Sequence, residues 1–413
     1  MKQNSAPRSR GRRWHGPCLL LLPLLLIPSL AACQSSPAAP AQARTTAPAQ
    51  SPAAPPAGNA AGAAPGGASG AAPSPGGGVT PNPAPADAAG RPGHIFVINL
   101  ENKSYDSVWG DNSSAPYLSG TLRKQGVLLE NYYGIAHNSL PNYLAQISGQ
   151  RPNDNTEQDC RTYTRFNATG TDGTGTLQGT GCVYPDQAQT LAGQLTAQGR
   201  TWKGYMEDMQ QPCEHPALGE PDNHIRATAD DMYSTHHDPF VYFQSITDSP
   251  DCDKDVVNLS ELADDLQSVG TTPNLSYITP NLCHDGHDAT CADGTRGGLE
   301  AADAWLQDHI PAILSSPAYQ QDGMLVITFD ETEGGTAGPA QGDSGSPAGG
   351  AAGGKVGALV LSPFSNAGAT SDRPYNHYSL LATIEDLFQL PRLGLAGEPG
   401  VKTFGDDVFR SGS

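Results

Sequence analysis

The sequence predicts an α/β protein built on a mostly parallel central sheet with helices on both faces. Three observations carry that reading. Strand-like and helical runs alternate from about residue 93 onward. The longest strand-like runs, HIFVINL (94–100) and GMLVITFD (323–330), are apolar nearly throughout, as strands covered on both faces are. Polar residues then collect where the runs end, which is where ligands gather on such sheets.

In chain order, HIFVINL is a strand by its β-branched content and is followed by a helix over PYLSGTLRKQG (116–126). VLLENYY (127–133) is a second strand. HNSLPNYLAQISG (137–149) starts a helix at Ser139, a residue type preferred as N-cap, with Leu140 and Pro141 in the first turn. Leu140, Tyr143, Leu144 and Ile147 recur at helical spacing, and Gly149 stops the run. QTLAGQLTAQG (189–199) is a helix and TWKGYME (201–207) a strand. NLSELADDLQSVG (258–270) is helical with Asn258 or Ser260 as its cap, and NLSYITP (274–280) is a strand. LEAADAWLQDHIPAIL (299–314) is a helix, GMLVITFD and VGALVLS (356–362) are strands, and HYSLLATIEDLFQL (377–390) is the last helix. Two segments break the alternation: a polar loop over 166–181 and a Gly-rich flexible insertion over 334–354, and neither is assigned any chemistry.

Ahead of this region, residues 1–33 have a basic start (Arg8, Arg10, Arg12, Arg13) and an apolar run too short for a comfortable membrane span. The run ends in Leu30-Ala31-Ala32-Cys33, which resembles a bacterial lipobox; the alternative is an ordinary secretory signal. Residues 34–92 are almost entirely Ala, Pro, Gly, Ser and Thr, too poor in large apolar side chains to offset the entropy of ordering, and are expected to form an extended tether. No later apolar stretch is long enough to span a bilayer, so the expectation is an exported chain that meets the membrane only through a lipid on Cys33, or is secreted if that Cys is not used. The folded region is then 93–413.

Lys and Arg number 23 against 42 Asp and Glu, a net charge of −19. Seven of those cations and one of those acids precede Gly93, leaving 16 against 41, or −25, on the folded region. Such a surface repels nucleic acid and anionic lipid. An anionic substrate would need a local reversal of sign, for which a bound metal is the obvious candidate. With Cys18 in the leader and Cys33 at the lipobox, six cysteines remain. Sequence order makes 160–182, 213–252 and 283–291 the least demanding of the fifteen possible pairings. The rival zinc reading finds no C-x-x-C pair to support it.

The strand ends deliver Glu101-Asn102, Ser139, the group His284, Asp285, His287 and Asp288, and Asp330-Glu331. His377 opens the last helix, and THHDPF supplies His236 and His237 from a loop. Singly, each has an ordinary structural explanation, as a cap, a solvated strand end or a surface histidine. Together, two carboxylate-bearing pairs on neighbouring strands suit a hard cation. A hydroxyl beside that cation becomes a usable nucleophile, and histidines can orient a phosphate or protonate a leaving group.

The blocks INLENKSYDSVWG, SLPNYLAQISG, YITPNLCHDGHD, VITFDETEGG and YNHYSLLATIEDLFQL, in order from about His94 to Leu390, resemble the phosphoesterase family. That family contains acid phosphatases, phosphatidylinositol-3-phosphatase-like enzymes and phospholipases C. The resemblance implies an alkaline phosphatase-like sandwich. It implies metal binding by Glu101, Asn102, Ser139, Asp330 and Glu331, with Ser139 also the nucleophile. Asp285, His237, His287 and His377 fall among its active-site residues; His236 and His137 stay open as neighbours of that set, and Lys103 as either a phosphate contact or a surface residue. A sulfatase pattern would carry Arg four residues after the nucleophile, where this chain has Tyr143. The expected cofactor is a divalent cation (Mg, Ca, Mn or Zn) and the expected substrate a small phosphorylated molecule or phosphoinositide. The leading expectation is an exported phosphomonoesterase working through phosphoserine. Its alternatives are a phospholipase C-type phosphodiesterase and a non-catalytic lipoprotein that binds a phosphorylated ligand.

Overall fold

A computed structural model describes residues 90–335 and 348–410, all within the unit 77–413. The leader, the Cys33 lipobox, the tether up to residue 89 and the 336–347 part of the Gly-rich insertion lie outside the described residues.

The strands are β1 (His94–Leu100), β2 (Val127–Leu129), β3 (Tyr132–Gly134), β4 (Asn167–Thr171), β5 (Leu177–Thr180), β6 (Trp202–Met206), β7 (Val256–Asn258), β8 (Leu275–Thr279), β9 (Gly323–Phe329), β10 (Gly354–Lys355), β11 (Ala358–Leu361), β12 (Thr370–Ser371) and β13 (Tyr375–Asn376). Eight of them form the main sheet in the order β12-β2-β11-β9-β1-β8-β6-β7. β1 lies between β9 and β8, parallel to both, and β8, β6 and β7 continue parallel. β11 runs antiparallel to both β9 and β2.

Every residue of β1 and of β9 is buried, as expected for central strands covered on two sides. Alternation along β1 assigns the covers. Phe96 points to Tyr319 of the Pro317–Asp322 helix, with ring centroids 6.5 Å apart. Asn99 points the other way, and its Oδ1 accepts from Gln146 Nε2 of the Ser139–Ser148 helix at 3.1 Å. Helices therefore cover both faces.

The three disulfides are 160–182, 213–252 and 283–291. Each joins segments outside the central strands, and Cys160, Cys182 and Cys252 are themselves part of the buried core. Among the described residues no helix is long and apolar enough to cross a membrane.

Five sequence expectations are corrected. NLSELADDLQSVG is not one helix but a 3-10 turn (Leu259–Glu261) and a four-residue helix (Leu262–Asp265). VLLENYY is not one strand: it breaks at Glu130-Asn131, sending β2 into the main sheet and β3 into a three-stranded sheet with β10 and β13. Asn131 makes the break, donating from its side chain to Asp372 O while its carbonyl accepts from Tyr375 N. PYLSGTLRKQG is not a regular α-helix but a π turn (Tyr117–Thr121) running into a 3-10 turn (Leu122–Lys124). Its Ser119-Gly120-Thr121 centre is weak in helix propensity, and Asp303 holds its start by accepting from Tyr117 N and Leu118 N. The polar loop at 166–181 contains the β4–β5 hairpin, and the Gly-rich insertion ends in β10.

Candidate active site

Parallel strands β1 and β9 end side by side, and β8 ends next to β1. Their carboxyl ends deliver Glu101-Asn102, Asp330-Glu331 and, through the loop after β8, Asp285. The backbone locks these ends together: Glu101 N donates to Asp285 O at 2.8 Å, and Asp330 N to Leu100 O at 2.9 Å. Asn102 adopts φ +51, a left-handed conformation that Asn tolerates better than most residues, and this turn lets its N–H donate to Asp330 Oδ1 at 2.9 Å.

Ser139 opens the Ser139–Ser148 helix and is 5% exposed. Its Oγ donates to Glu101 Oε2 at 2.7 Å. Glu101, with no exposed surface, also accepts from Tyr143 OH on Oε1 at 2.6 Å and from Asn102 Nδ2 on Oε2 at 2.6 Å. The Ser139 hydroxyl is thus held against a buried carboxylate at the end of the central strand.

Ser139 does not cap its own helix. Asn138, at φ +72, is the N-cap residue and makes no side-chain cap bond. The capping acceptor is Asp159, whose Oδ1 accepts from Leu140 N at 3.1 Å. A carboxylate from the chain itself therefore stands at the helix N-terminus, and Pro141 has no N–H to offer, so that end is not an open phosphate cradle. Asn142 fixes the approach: its Oδ1 accepts from Ile135 N and Ala136 N, and its Nδ2 donates to Ala136 O and Asn138 O.

His237 is buried, its ring stacked on Tyr143 at 5.2 Å. Its Nε2 lies 3.4 Å from Glu101 Oε1 and its Nδ1 3.2 Å from Asp285 Oδ2, neither aligned as a hydrogen bond. His236 packs edge-on to it at 4.3 Å. His287 N donates to Asp285 Oδ1 at 2.7 Å, while the His287 ring is 44% exposed and its Nδ1 lies 2.8 Å from Asp288 Oδ1. His137 Nδ1 lies 2.6 Å from Glu331 Oε2.

Three expected residues sit differently. His377 is buried behind the Asp330 backbone: its Nε2–H donates to Asp330 O at 2.7 Å, so its Nδ1 accepts from Tyr132 OH at 3.1 Å and Gln146 Nε2 at 3.2 Å. Both ring nitrogens are thereby used in placing Asp330. His284 turns toward Glu207, with Nδ1 3.0 Å from Oε1. Lys103 is not a surface residue but half-buried, its Nζ donating to Asn102 O and Gly286 O.

The electrostatics follow from burial. Burial first, then Asp330 and Asp285, push Glu101 well above the usual carboxylate range, against the lowering effect of the Tyr143 and Ser139 hydrogen bonds. Burial also raises Asp330, lifts Asp285 to about 7, and with Asp330 lifts Glu331 to about 9. It pushes His237 and His236 well below the ordinary imidazole value. Asp330 Oδ2, Asp285 Oδ2 and both His237 nitrogens are buried without hydrogen-bond partners. Among the described residues no group of three His, Cys, Asp or Glu is closed at ligand distances. The donors are nonetheless of the kind a hard divalent cation takes, and the orphaned carboxylate oxygens are what such a cation would satisfy.

Sequence reasoning missed Tyr143, read there as part of an apolar stripe, and Asp159, which carries no motif.

Fold and site together define an α/β protein with a buried hydroxyl–carboxylate centre at the carboxyl ends of parallel strands. The chain belongs to the Phosphoesterase family, whose model matches residues 111–391. Glu101 and Asn102 precede the matched stretch. It is 26% identical over 306 residues to a phosphate-repressible acid phosphatase of Penicillium chrysogenum, covering 72% of this chain and 62% of that protein. It is 25% identical over 303 residues to a phosphatidylinositol-3-phosphatase of Mycobacterium tuberculosis, covering 73% of this chain and 79% of that protein. The chain spans less than two thirds of the length of the fungal acid phosphatases it matches. Among solved structures, a protein of the alkaline phosphatase superfamily from Vibrio parahaemolyticus matches with a TM-score of 0.45 and 12% identity, over 76% of this chain and 72% of that one.

Proposed function

We propose that this protein is an exported, metal-dependent phosphomonoesterase of the acid phosphatase kind, with Ser139 as nucleophile. The observation that carries the reading is the Ser139 hydroxyl, 5% exposed and donating to a wholly buried Glu101 at the end of the central strand. A structural serine at a helix start does not require a second and a third buried carboxylate, Asp330 and Asp285, left with orphaned oxygens. Similarity to an acid phosphatase and a phosphatidylinositol-3-phosphatase supports a small phosphorylated substrate, a phosphoinositide among them. The basic, apolar leader and the three disulfides support export, and Leu30-Ala31-Ala32-Cys33 supports a lipid anchor.

Glu101, Asn102, Ser139, Asp330 and Glu331 would hold the divalent cation, which when bound supplies positive charge against the serine oxygen and a phosphate oxygen. Ser139 Oγ gives its proton to Glu101 Oε2, to which it donates at 2.7 Å, and attacks phosphorus; the ester P–O bond breaks and the leaving oxygen takes a proton. Phosphoserine is then hydrolysed by water to inorganic phosphate and free Ser139. Of the candidate histidines, His287 has solvent access and suits the proton transfer to the leaving group. His237 fills the space between Glu101 and Asp285, and His377 positions Asp330 through its carbonyl.

The test is hydrolysis of p-nitrophenyl phosphate against bis(p-nitrophenyl) phosphate by the full chain, stripped of metal and then resupplied. Metal-restored turnover of the monoester is expected. Preference for the diester would move the reading to a phospholipase C-type phosphodiesterase, and no turnover of either with metal bound would favour a non-catalytic phospholigand-binding protein.

A further inference from the structure

A cavity of about 510 Å³ is lined by Asp159, Arg161, Ile225, Arg226, His236 and His287, among others. Two observations tie it to the nucleophile. Asp159 caps Leu140, the residue after Ser139, and the His287 N–H donates to Asp285. The lining is unusual in its charge. Two of the 23 Lys and Arg of a chain with net charge −19 face this one cavity. Among the described residues neither Arg161 nor Arg226, both exposed, makes an ion pair or a side-chain hydrogen bond; Arg151, Arg296, Arg373 and Arg392 are matched to carboxylates, while Arg165 is exposed and unmatched like them but does not line the cavity.

The acids in the same lining are already engaged. Asp288 Oδ1 lies 2.8 Å from His287 Nδ1. Asp159 accepts from Leu140 N, and burial lifts its carboxyl to about 6. The backbone holds Arg161 against the segment that leads to Arg226: Asp222 N donates to Arg161 O, Tyr163 N donates to Glu220 O, and Thr162 bridges Pro221. The two loops that carry Arg161 and Arg226 are therefore laced to each other beside the site. Asp159 occupies the helix N-terminus and Lys103 is tied to two carbonyls, so the free cationic charge of the cavity is that of Arg161 and Arg226.

We infer that Arg161 and Arg226 form a subsite for a second anionic group on the substrate, so that the preferred substrates are phosphomonoesters carrying another phosphate. The inference rests on the phosphomonoesterase reading above. A guanidinium fork matches phosphate oxygens in a way a lone ammonium does not, and the cavity volume accommodates a sugar-sized body between the two anionic groups.

The experiment compares glucose 1,6-bisphosphate with glucose 1-phosphate on the metal-loaded full chain and on the double variant R161Q/R226Q, with thermal melts to confirm folding. The expected result is a wild-type preference for the bisphosphate in kcat/KM and a fall of at least tenfold in that ratio in the double variant. A ratio unaltered by the substitutions, or an equal loss on both substrates, overturns the subsite; the latter would place the arginines on the reacting phosphate instead. If the wild type turned over neither substrate, the phosphatase reading would fall. The subsite would then be judged by equilibrium binding of glucose 1,6-bisphosphate, which the double variant must lose for the inference to stand.

Discussion

Glu101 receives hydroxyl donors from Ser139 on one oxygen and Tyr143 on the other, and this pairing satisfies both oxygens of a carboxyl group with no exposed surface. Tyr143→Phe removes the donor on Oε1 and leaves that oxygen buried beside a His237 nitrogen that is not aligned to replace it. The variant should lose about 1–2 kcal/mol of stability in urea unfolding and about tenfold in kcat/KM on p-nitrophenyl phosphate. Unaltered values for both would show that the phenol does not support Glu101. The strand-end acids and Ser139 were legible because chemistry-bearing residues stood at the ends of apolar runs. Tyr143 was not, because its spacing fits an apolar helix face and nothing local shows that its hydroxyl meets a carboxylate. Asp159 was hidden for a similar reason: the acceptor that caps Leu140 comes from nineteen residues further along the chain.

The elements whose hydrophobic period is unbroken, β1, β9 and the Ser139–Ser148 and His377–Leu387 helices, form where the sequence predicts them. Two of the errors fall on VLLENYY and PYLSGTLRKQG, where tertiary partners, Asp372 and Tyr375 for the first and Asp303 for the second, overrode local preference. The His377–Leu387 helix carries a titration of its own. Glu385 is buried, accepts from Leu393 N at 2.8 Å, and is pushed by burial from the ordinary 4.5 up to about 8. The unfolded chain gives up this proton near pH 4.5 while the native chain keeps it to about 8, so between those values the native state binds more protons and stability falls as pH rises. Glu385→Gln keeps an acceptor for Leu393 and does not titrate. Its stability relative to wild type should therefore improve from pH 5 to pH 8 by on the order of 2 kcal/mol in urea unfolding. Parallel pH profiles would show that Glu385 stays ionised in the native state.

Across the whole molecule, a surplus of acids surrounds a site built to handle an anion, and the sign is reversed only locally. The folded region holds 41 acids against 16 cations. Asp330 and Asp285 each keep a buried oxygen without a hydrogen-bond partner, and Arg161 and Arg226 line the cavity that Asp159 and His287 share. The overall charge and the even cysteine count could be read in the sequence because each is a sum along the chain, and the parallel sheet because strand-like and helical runs alternate. The cavity could not, because it exists only where the loops around Asp159, Arg226 and His287 meet. The central claim is that Ser139 becomes covalently phosphorylated during turnover. The measurement that tests it most directly is acid quenching of the metal-loaded full chain during hydrolysis of p-nitrophenyl phosphate, followed by mass spectrometry of the peptide containing Ser139. The expected result is one added phosphate on Ser139 in the wild type, and neither that phosphate nor turnover in Ser139→Ala. An unmodified Ser139 together with full activity in Ser139→Ala would contradict it.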